Sequence, residues 1–216
     1  HLDEVALVLD GADARGDRGP TGGIVALRPG QFHVVAADRG VAGGLAAVTG
    51  LLGLTGALVA SLFVYVSLRD GDQGRVWKFS PSGEASFFAT LGTGEAGGLA
   101  VAANGTLYAA MATGLDRGVY RIEPNGYAER LPGTEEIAWA NALAFDHTGT
   151  LYITESHSRP SPTTYGPGGI WRVRKGEPAE LWLRHALLTG IGIIGYPIGA
   201  NGIAYDKGAL VVVNTD

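Results

Sequence analysis

Two motifs in this sequence place an asparagine directly before an apolar, strand-like run. They read WANALAFD over 139–146 and GANGIAYD over 199–206, so Asn141 and Asn201 occupy the same position in each. Carboxamide oxygens at such positions can join carboxylates and waters around a hard cation such as Ca²⁺, which takes about six to eight oxygen ligands. The alternative interpretation is structural, because an asparagine before a strand can simply stabilise a turn.

The elements that position these asparagines belong to a repeat. Each copy has an aliphatic–aromatic strand, a loop, and then an apolar pair followed by a basic residue. Tyr65, Tyr108 and Tyr152 hold the same place in successive copies and are 43 and 44 residues apart. This period is typical of the four-stranded blade of a β-propeller and is longer than leucine-rich or common helical repeats. The sequence therefore predicts an all-β propeller that forms a single domain over residues 1–216.

The blade pattern also predicts how the chain is divided. The first predicted blade lacks its innermost strand and the last lacks its outer strands, whereas the three between them are complete. A closed six-bladed ring would need sequence beyond this chain, which we therefore interpret as a fragment. The predicted blades cover about 5–37, 50–91, 95–132, 138–186 and 199–216.

Composition limits the classes of function. The chain has 35 glycines and only 17% charged residues, which suits short strands joined by tight turns. Its net charge of −5 provides no basic footprint for nucleic acid. Without cysteine, disulfides, thiolate metal sites and cysteine nucleophiles are excluded, and the redox compartment stays undecided. We expect a periplasmic or secreted location and, for the full-length protein, a monomer.

An uncharged stretch from Val41 to Leu68 is long enough to be a membrane-span candidate. Five glycines interrupt it, and its last residues are the Tyr65 copy of the repeat. Since a spanning helix would consume that strand, we favour a buried innermost strand with an apolar lead-in over a membrane segment.

Other polar residues are weaker candidates. Glu155, His157 and Asp10 follow second strands, where a carboxylate or imidazole could act as a base toward water, but solvated loop residues are the favoured interpretation. Asp146 and Asp206 follow innermost strands and favour Asx turns. Two histidines, His147 and His185, have no partner at a recognisable spacing.

Two further features concern packing and loops. Trp77, Tyr120 and Trp171 share one repeat position, which favours packing between blades over ligand stacking. The connections 157–168 and 187–199 are longer than the rest, and they are interpreted either as lid pieces over a central channel or as tolerated insertions.

The asparagine motifs, together with LYITES at 151–156 and LVVVNTD at 210–216, resemble the regucalcin/gluconolactonase family of six-bladed propellers. The resemblance covers residues 50–216 well and the first 40 weakly. It implies a metal-dependent hydrolase of a small lactone or ester, with a Ca²⁺ or other divalent cation in the central channel. It also implies that Asn141 and Asn201 are the cation ligands from the middle blades.

The chain departs from the family at the two carboxylate ligands. The position expected to hold a glutamate carries LTGA at 54–57, and no glutamate occurs between Glu4 and Glu84. Either that ligand lies outside the sequence, the assigned blade register is off by one, or the metal site has decayed, while the expected aspartate would lie beyond Asp216. The alternative function is a non-catalytic propeller that binds a small ligand or a protein.

Overall fold

A computed structural model describes the backbone of residues 4–9 and 33–37, and residues 63–80, 82–158, 166–190 and 198–215 in full. The described elements are almost all strands, as the repeat predicts. Among the described residues, the first part of the chain supplies two strands, β1 (Glu4–Leu9) and β2 (His33–Ala37), and thirteen more follow after residue 63. The described part of the chain also contains short 3-10 helices at Thr134–Glu136 and Ala186–Leu188.

Three four-stranded antiparallel sheets follow one another along the chain, and we call them blades 1 to 3. In each, the strands are hydrogen-bonded in the order in which they occur in the sequence. Blade 1 consists of β2 (His33–Ala37), β3 (Val64–Asp70), β4 (Gln73–Phe79) and β5 (Ala85–Thr93). Blade 2 consists of β6 (Ala96–Val101), β7 (Leu107–Met111), β8 (Gly118–Ile122) and β9 (Ala128–Arg130). Blade 3 consists of β10 (Ala140–Phe145), β11 (Leu151–Glu155), β12 (Gly169–Val173) and β13 (Glu180–Arg184).

A fourth sheet, blade 4, is built from both parts of the chain. The hairpin of β14 (Ala200–Asp206) and β15 (Ala209–Asn214) pairs through β15 with β1 (Glu4–Leu9), which runs parallel to it. Small antiparallel sheets of this kind that follow one another along the chain are the blades of a β-propeller. The predicted fold class is confirmed.

The sheet pairing corrects one part of the predicted layout. We predicted a separate first blade at 5–37 and an innermost strand of the next blade just before residue 63. Instead, β1 pairs with β15, and β2 supplies the innermost strand of blade 1. Because the entropy of closing a loop grows slowly with its length, a strand distant in sequence can fill that place. Residues 41–62 lie outside the described part of the chain, so only residues 63–68 of the apolar stretch are placed, and all but the first of these lie in β3.

The repeated tyrosine and the repeated basic residue are cross-strand partners. In blades 1 to 3 the tyrosine of the second strand lies opposite the basic residue of the third, and in blades 2 and 3 a glutamate of the fourth strand continues the row. Such pairs stabilise neighbouring strands by about 0.2–1 kcal/mol each. The rows are Tyr65–Lys78, Tyr108–Arg121–Glu129 and Tyr152–Arg172–Glu180.

The apolar side chains are buried between adjacent blades. One cluster joins blades 1 and 2 around Val76 and Leu99, a second joins blades 2 and 3 around Val119 and Ile153, and a third joins blades 3 and 4 around Leu188. Each large side chain buried in this way contributes about 1.5–3 kcal/mol relative to exposure. These clusters fix each innermost strand against the next.

Among the described residues, no helix is long and apolar enough to span a membrane.

Candidate functional site

The innermost strands of blades 2 to 4 share a bulge near their first residue. Their pairing with the second strands slips by one residue between Ala96 and Leu99, between Ala140 and Leu143, and between Ala200 and Ile203. A bulge adds one unpaired residue and redirects the side chains on either side of it. We call the end of the blades where these strands begin the upper rim. Asn141 and Asn201 both lie there, at the first position inside the bulge.

The side chain of Asn141 is buried and held by a hydroxyl group. Its Nδ2 donates to Ser156 Oγ over 2.8 Å, and Ser156 Oγ donates in turn to the carbonyl of Ala200 in blade 4 over 2.8 Å. The serine hydroxyl thereby accepts one hydrogen bond and commits its only proton to another. The carboxamide of Asn141 is fixed through its nitrogen, and none of the described hydrogen bonds uses its Oδ1.

Asn201 repeats this arrangement one blade further on. Its Nδ2 donates to Thr215 Oγ1 over 2.6 Å, and Thr215 follows β15 as Ser156 follows β11. Its Oδ1 likewise takes part in none of the described hydrogen bonds. The two asparagines are therefore equivalent in position and in bonding, which their shared sequence motif predicts.

The innermost strands approach one another closely at this level. Thr154 Oγ1 accepts from the backbone N–H of Ala142 over 2.9 Å and donates to the carbonyl of Asn201 over 2.6 Å, so one hydroxyl joins blades 3 and 4. Between blades 2 and 3, a Cβ added to Gly98 would lie only 2.8 Å from the carbonyl oxygen of Asn141. The two asparagines thus lie on strands that are held in direct contact.

Glu155, the last residue of β11, is buried with 1% of its surface exposed. Its Oε1 accepts from the N–H of Ala138 over 2.9 Å. Its Oε2 accepts from Trp171 Nε1 over 3.0 Å and from Arg184 Nη2 over 2.9 Å. The favoured interpretation of Glu155 as a solvated loop residue was wrong. It is not free to act as a base, because three donors occupy its oxygens.

The sequence contained a signal for this burial. Residues at alternate positions of a strand share a face. Glu155 therefore shares the face of Leu151 and Ile153, both of which are buried. A carboxylate at the end of such a series needs a cationic or hydrogen-bonding partner, and that partner, Arg184, is distant in sequence.

The other weak candidates divide between the two ends of the blades. At the upper rim, His157 is buried, contrary to the solvated interpretation, and its ring centroid lies 4.8 Å from that of Trp139. Asp10 lies outside the described residues. His185 Nδ1 accepts from the N–H of Leu187 and caps a 3-10 helix. Asp206 ends β14 and so lies at the end of the blades opposite the upper rim, and none of the described hydrogen bonds uses its side chain.

At the opposite end, Asp146 forms the predicted Asx turn. Its Oδ1 accepts from the N–H groups of Thr148 and Thr150 over 2.8 and 2.9 Å. Partial burial alone would raise the pKa of Asp146, but the hydrogen bond from the Thr148 hydroxyl, together with those from the two N–H groups, outweighs it and holds the pKa below its usual value. The neighbouring His147 has a partner that the sequence did not reveal, since its Nδ1 lies 2.5 Å from Tyr205 Oη in blade 4.

The shared aromatic position serves packing in two of the three blades. Tyr120 belongs to the apolar cluster between blades 1 and 2, and Trp171 packs against the one between blades 2 and 3. Trp77 contacts Phe87 of its own blade, with ring centroids 6.1 Å apart. The predicted packing between blades is confirmed for Tyr120 and Trp171.

The long connections have their described ends at the upper rim. Gly199 donates to the carbonyl of Ser156 over 3.1 Å, and a Cβ added to Gly168 would lie 2.9 Å from the carbonyl oxygen of Glu155. Residues 159–165 and 191–197 lie outside the described residues, so the lid prediction remains a prediction.

The donor set of the upper rim suits a hard cation in type, because carboxamide oxygens are ligands that Ca²⁺ accepts. It supplies no negative charge of its own. Within the described ranges, no group of three or more His, Cys, Asp or Glu side chains is placed to hold a metal ion. A tight site would therefore need carboxylates from elsewhere in the protein.

Fold and site together define a β-propeller with a polar upper rim on blades 3 and 4. No family model matches the sequence, and no curated protein matches it significantly. Among solved structures, the chain is similar to a virginiamycin B lyase from Staphylococcus aureus, at 14% identity and a TM-score of 0.48, over 70% of this chain and 45% of the other. It is also similar to a gluconolactonase from Xanthomonas campestris, at 16% identity and a TM-score of 0.45, over 72% of this chain and 67% of the other.

This chain spans less than half the length of that lyase. At these identities and scores the similarities do not bear on activity, and the fold assignment rests on the sheet order and the repeated register described above.

Proposed function

We propose that this protein is a hydrolase of a small lactone or ester, with Ca²⁺ or another divalent cation held at the upper rim by Asn141 and Asn201. The observation that carries the proposal is the equivalence of the two carboxamides. Each is fixed through its nitrogen by a hydroxyl of its own blade, while its oxygen takes part in none of the described hydrogen bonds. Prior fixation of a ligand lowers the entropy lost when a cation binds.

The residues of the rim have separate tasks in this proposal. Asn141 and Asn201 present oxygen ligands, and Ser156 and Thr215 orient them. A bound cation would polarise the substrate carbonyl and lower the pKa of a coordinated water. The carboxylate ligands that raise affinity for Ca²⁺ would come from outside the described residues.

The test is a hydrolysis assay on a panel of small lactones and esters, with and without Ca²⁺ and with a chelator. Asn141→Ala and Asn201→Ala should each lower kcat/KM for the best substrate at least about tenfold, as loss of a metal-site group commonly does. The matched control is Asn125→Ala, since Asn125 caps the β8–β9 turn by accepting from Tyr127 N–H. Turnover that survives both rim substitutions and the chelator would contradict the proposal.

A second function, a non-catalytic propeller that binds a small ligand or a protein, is favoured by one specific observation. Glu155 precedes Ser156, the hydrogen-bond partner of Asn141, and its carboxylate already accepts hydrogen bonds from three donors. With this carboxylate engaged, the two carboxamides can still bind a ligand, but Glu155 is not available as a base. Saturable binding of a lactone without turnover, lost in Asn141→Ala, would support this function over hydrolysis.

A further inference from the structure

Three hydrogen bonds join the segment that carries Asn141 to Glu155 and Ser156. Ala138 N–H donates to Glu155 Oε1 over 2.9 Å, and Ser156 N–H donates to the carbonyl of Trp139 over 3.1 Å. Asn141 Nδ2 completes the set with its bond to Ser156 Oγ over 2.8 Å. The position of Asn141 therefore depends on where residues 155 and 156 lie.

The carboxylate of Glu155 is also bound to the outer part of the blade. Trp171 of β12 and Arg184 of β13 both donate to Oε2, and Arg184 Nη1 donates to the carbonyl of Pro167 over 2.7 Å. Arginine suits this place because its planar guanidinium presents several donors in a fixed geometry. The backbone just before β12 is thereby connected to the innermost strand through one ion pair.

The pattern of donors requires a carboxylate. All three groups that contact the Glu155 side chain are donors, and an ionised carboxylate is purely an acceptor. A glutamine of the same shape would turn its NH₂ group toward the N–H of Ala138 in one orientation and toward the donors of Trp171 and Arg184 in the other. The interaction is therefore more specific than packing of a buried side chain.

We propose that Glu155, with Arg184, is a positioning residue that sets the orientation of the Asn141 carboxamide and links it to the backbone at Pro167. Glu155 contacts no substrate or cation in this proposal; it acts through Ala138 and Ser156. The inference deepens the proposed function and rests on it only for the cation measurement described below.

The primary test follows the side-chain NH₂ signals of asparagine by NMR in the 216-residue chain, with each signal assigned from its loss in Asn141→Ala or Asn201→Ala. Glu155→Gln should shift or broaden the Asn141 signals and leave those of Asn201 in place. The control is Glu180→Gln, which removes an exposed partner of Arg172 and Arg174 in the same blade. Unchanged Asn141 signals would overturn the proposal, as would equal changes at Asn201, because these indicate general loosening.

Cation titration gives a second readout that a merely structural role would not produce. Glu155→Gln should weaken binding about 10–100-fold, the usual range for groups that orient ligands. Asn141→Ala should then add little in the Glu155→Gln background, whereas Asn201→Ala should add its full effect. Equal additivity of both would contradict positioning through Asn141.

The positioning role can still be measured if no cation binds or if Glu155→Gln does not fold. If the full-length protein binds no cation, the proposed function fails, and the NMR comparison still decides the positioning role. If Glu155→Gln does not fold, Trp171→Phe removes one donor to Oε2 and keeps most of the aromatic packing. It should change the same Asn141 signals by a smaller amount, and no change there would overturn the proposal.

Discussion

Blades 2 and 3 have the same strand order and the same bulge, but their upper rims carry opposite chemistry. In blade 2 the three positions equivalent to Asn141, Glu155 and Ser156 are apolar or lack a side chain, and the cluster around Leu99 still forms. The polar residues of blade 3 are therefore not needed to form a blade. Burying polar side chains costs free energy, so their presence in blade 3 is best explained by a function at the rim. By register, Gly97, Met111 and Ala112 of blade 2 correspond to Asn141, Glu155 and Ser156 of blade 3.

The largest loss of stability is expected when a buried residue of blade 2 is replaced by its counterpart from blade 3. Met111 is completely buried, so Met111→Glu would introduce a carboxylate without the donors that Glu155 has. We expect a loss of about 3–5 kcal/mol in the free energy of unfolding, the typical cost of an uncompensated buried charge. Urea unfolding measures it. A loss below about 1 kcal/mol would mean that blade 2 can solvate or pair a charge at this position.

A smaller effect is expected from the glycines inside the bulges. Gly98 and Gly202 hold equivalent positions, yet an added Cβ would meet backbone atoms at 2.8 and 3.0 Å at Gly98 and only Val213 at 3.9 Å at Gly202. Gly98→Ala should cost roughly 1–3 kcal/mol through overpacking. Gly202→Ala should stabilise by about 0.4–1 kcal/mol or be neutral. Equal thermal stabilities for the two variants would contradict the close approach of β6 and β10.

Ser156→Ala converts the rim of blade 3 toward that of blade 2, where Ala112 is the native residue. The variant loses the bond to the Ala200 carbonyl and the acceptor for Asn141 Nδ2. A net loss of about 1 kcal/mol is expected in chemical unfolding, the usual contribution of such hydrogen bonds. Ser67→Ala, in blade 1, removes a similar bond to the Gly97 carbonyl and should cost a similar amount. A neutral result for Ser156 alone would show that its bonds are weak in solution.

The smallest effect concerns the lower end of blade 3. Because the pKa of Asp146 is lower in the folded than in the unfolded chain, its ionised form adds stability above the unfolded value, about 4, and this is lost as pH falls through the folded value. The stability difference between wild type and Asp146→Asn should therefore be present at pH 7 and shrink below pH about 4. A difference that does not vary with pH would assign the effect to packing.

The sequence predicted the propeller and the equivalence of Asn141 and Asn201 because both depend on local, repeated patterns. The prediction of a separate first blade was wrong because β1 and β2 pair with strands that are distant in sequence, and a local sequence pattern contains no information on such pairings. The burial of Glu155 was missed for the same reason, since Arg184 lies 29 residues away. The cation, the substrate and the monomeric state remain predictions.

Calorimetric titration of the full-length protein with Ca²⁺ tests the central claim most directly. Wild type and Asn125→Ala should bind one cation per chain, and Asn141→Ala and Asn201→Ala should each weaken binding at least about tenfold. Absence of binding in the wild type, or binding unaffected by both rim substitutions, would contradict a cation site at the upper rim.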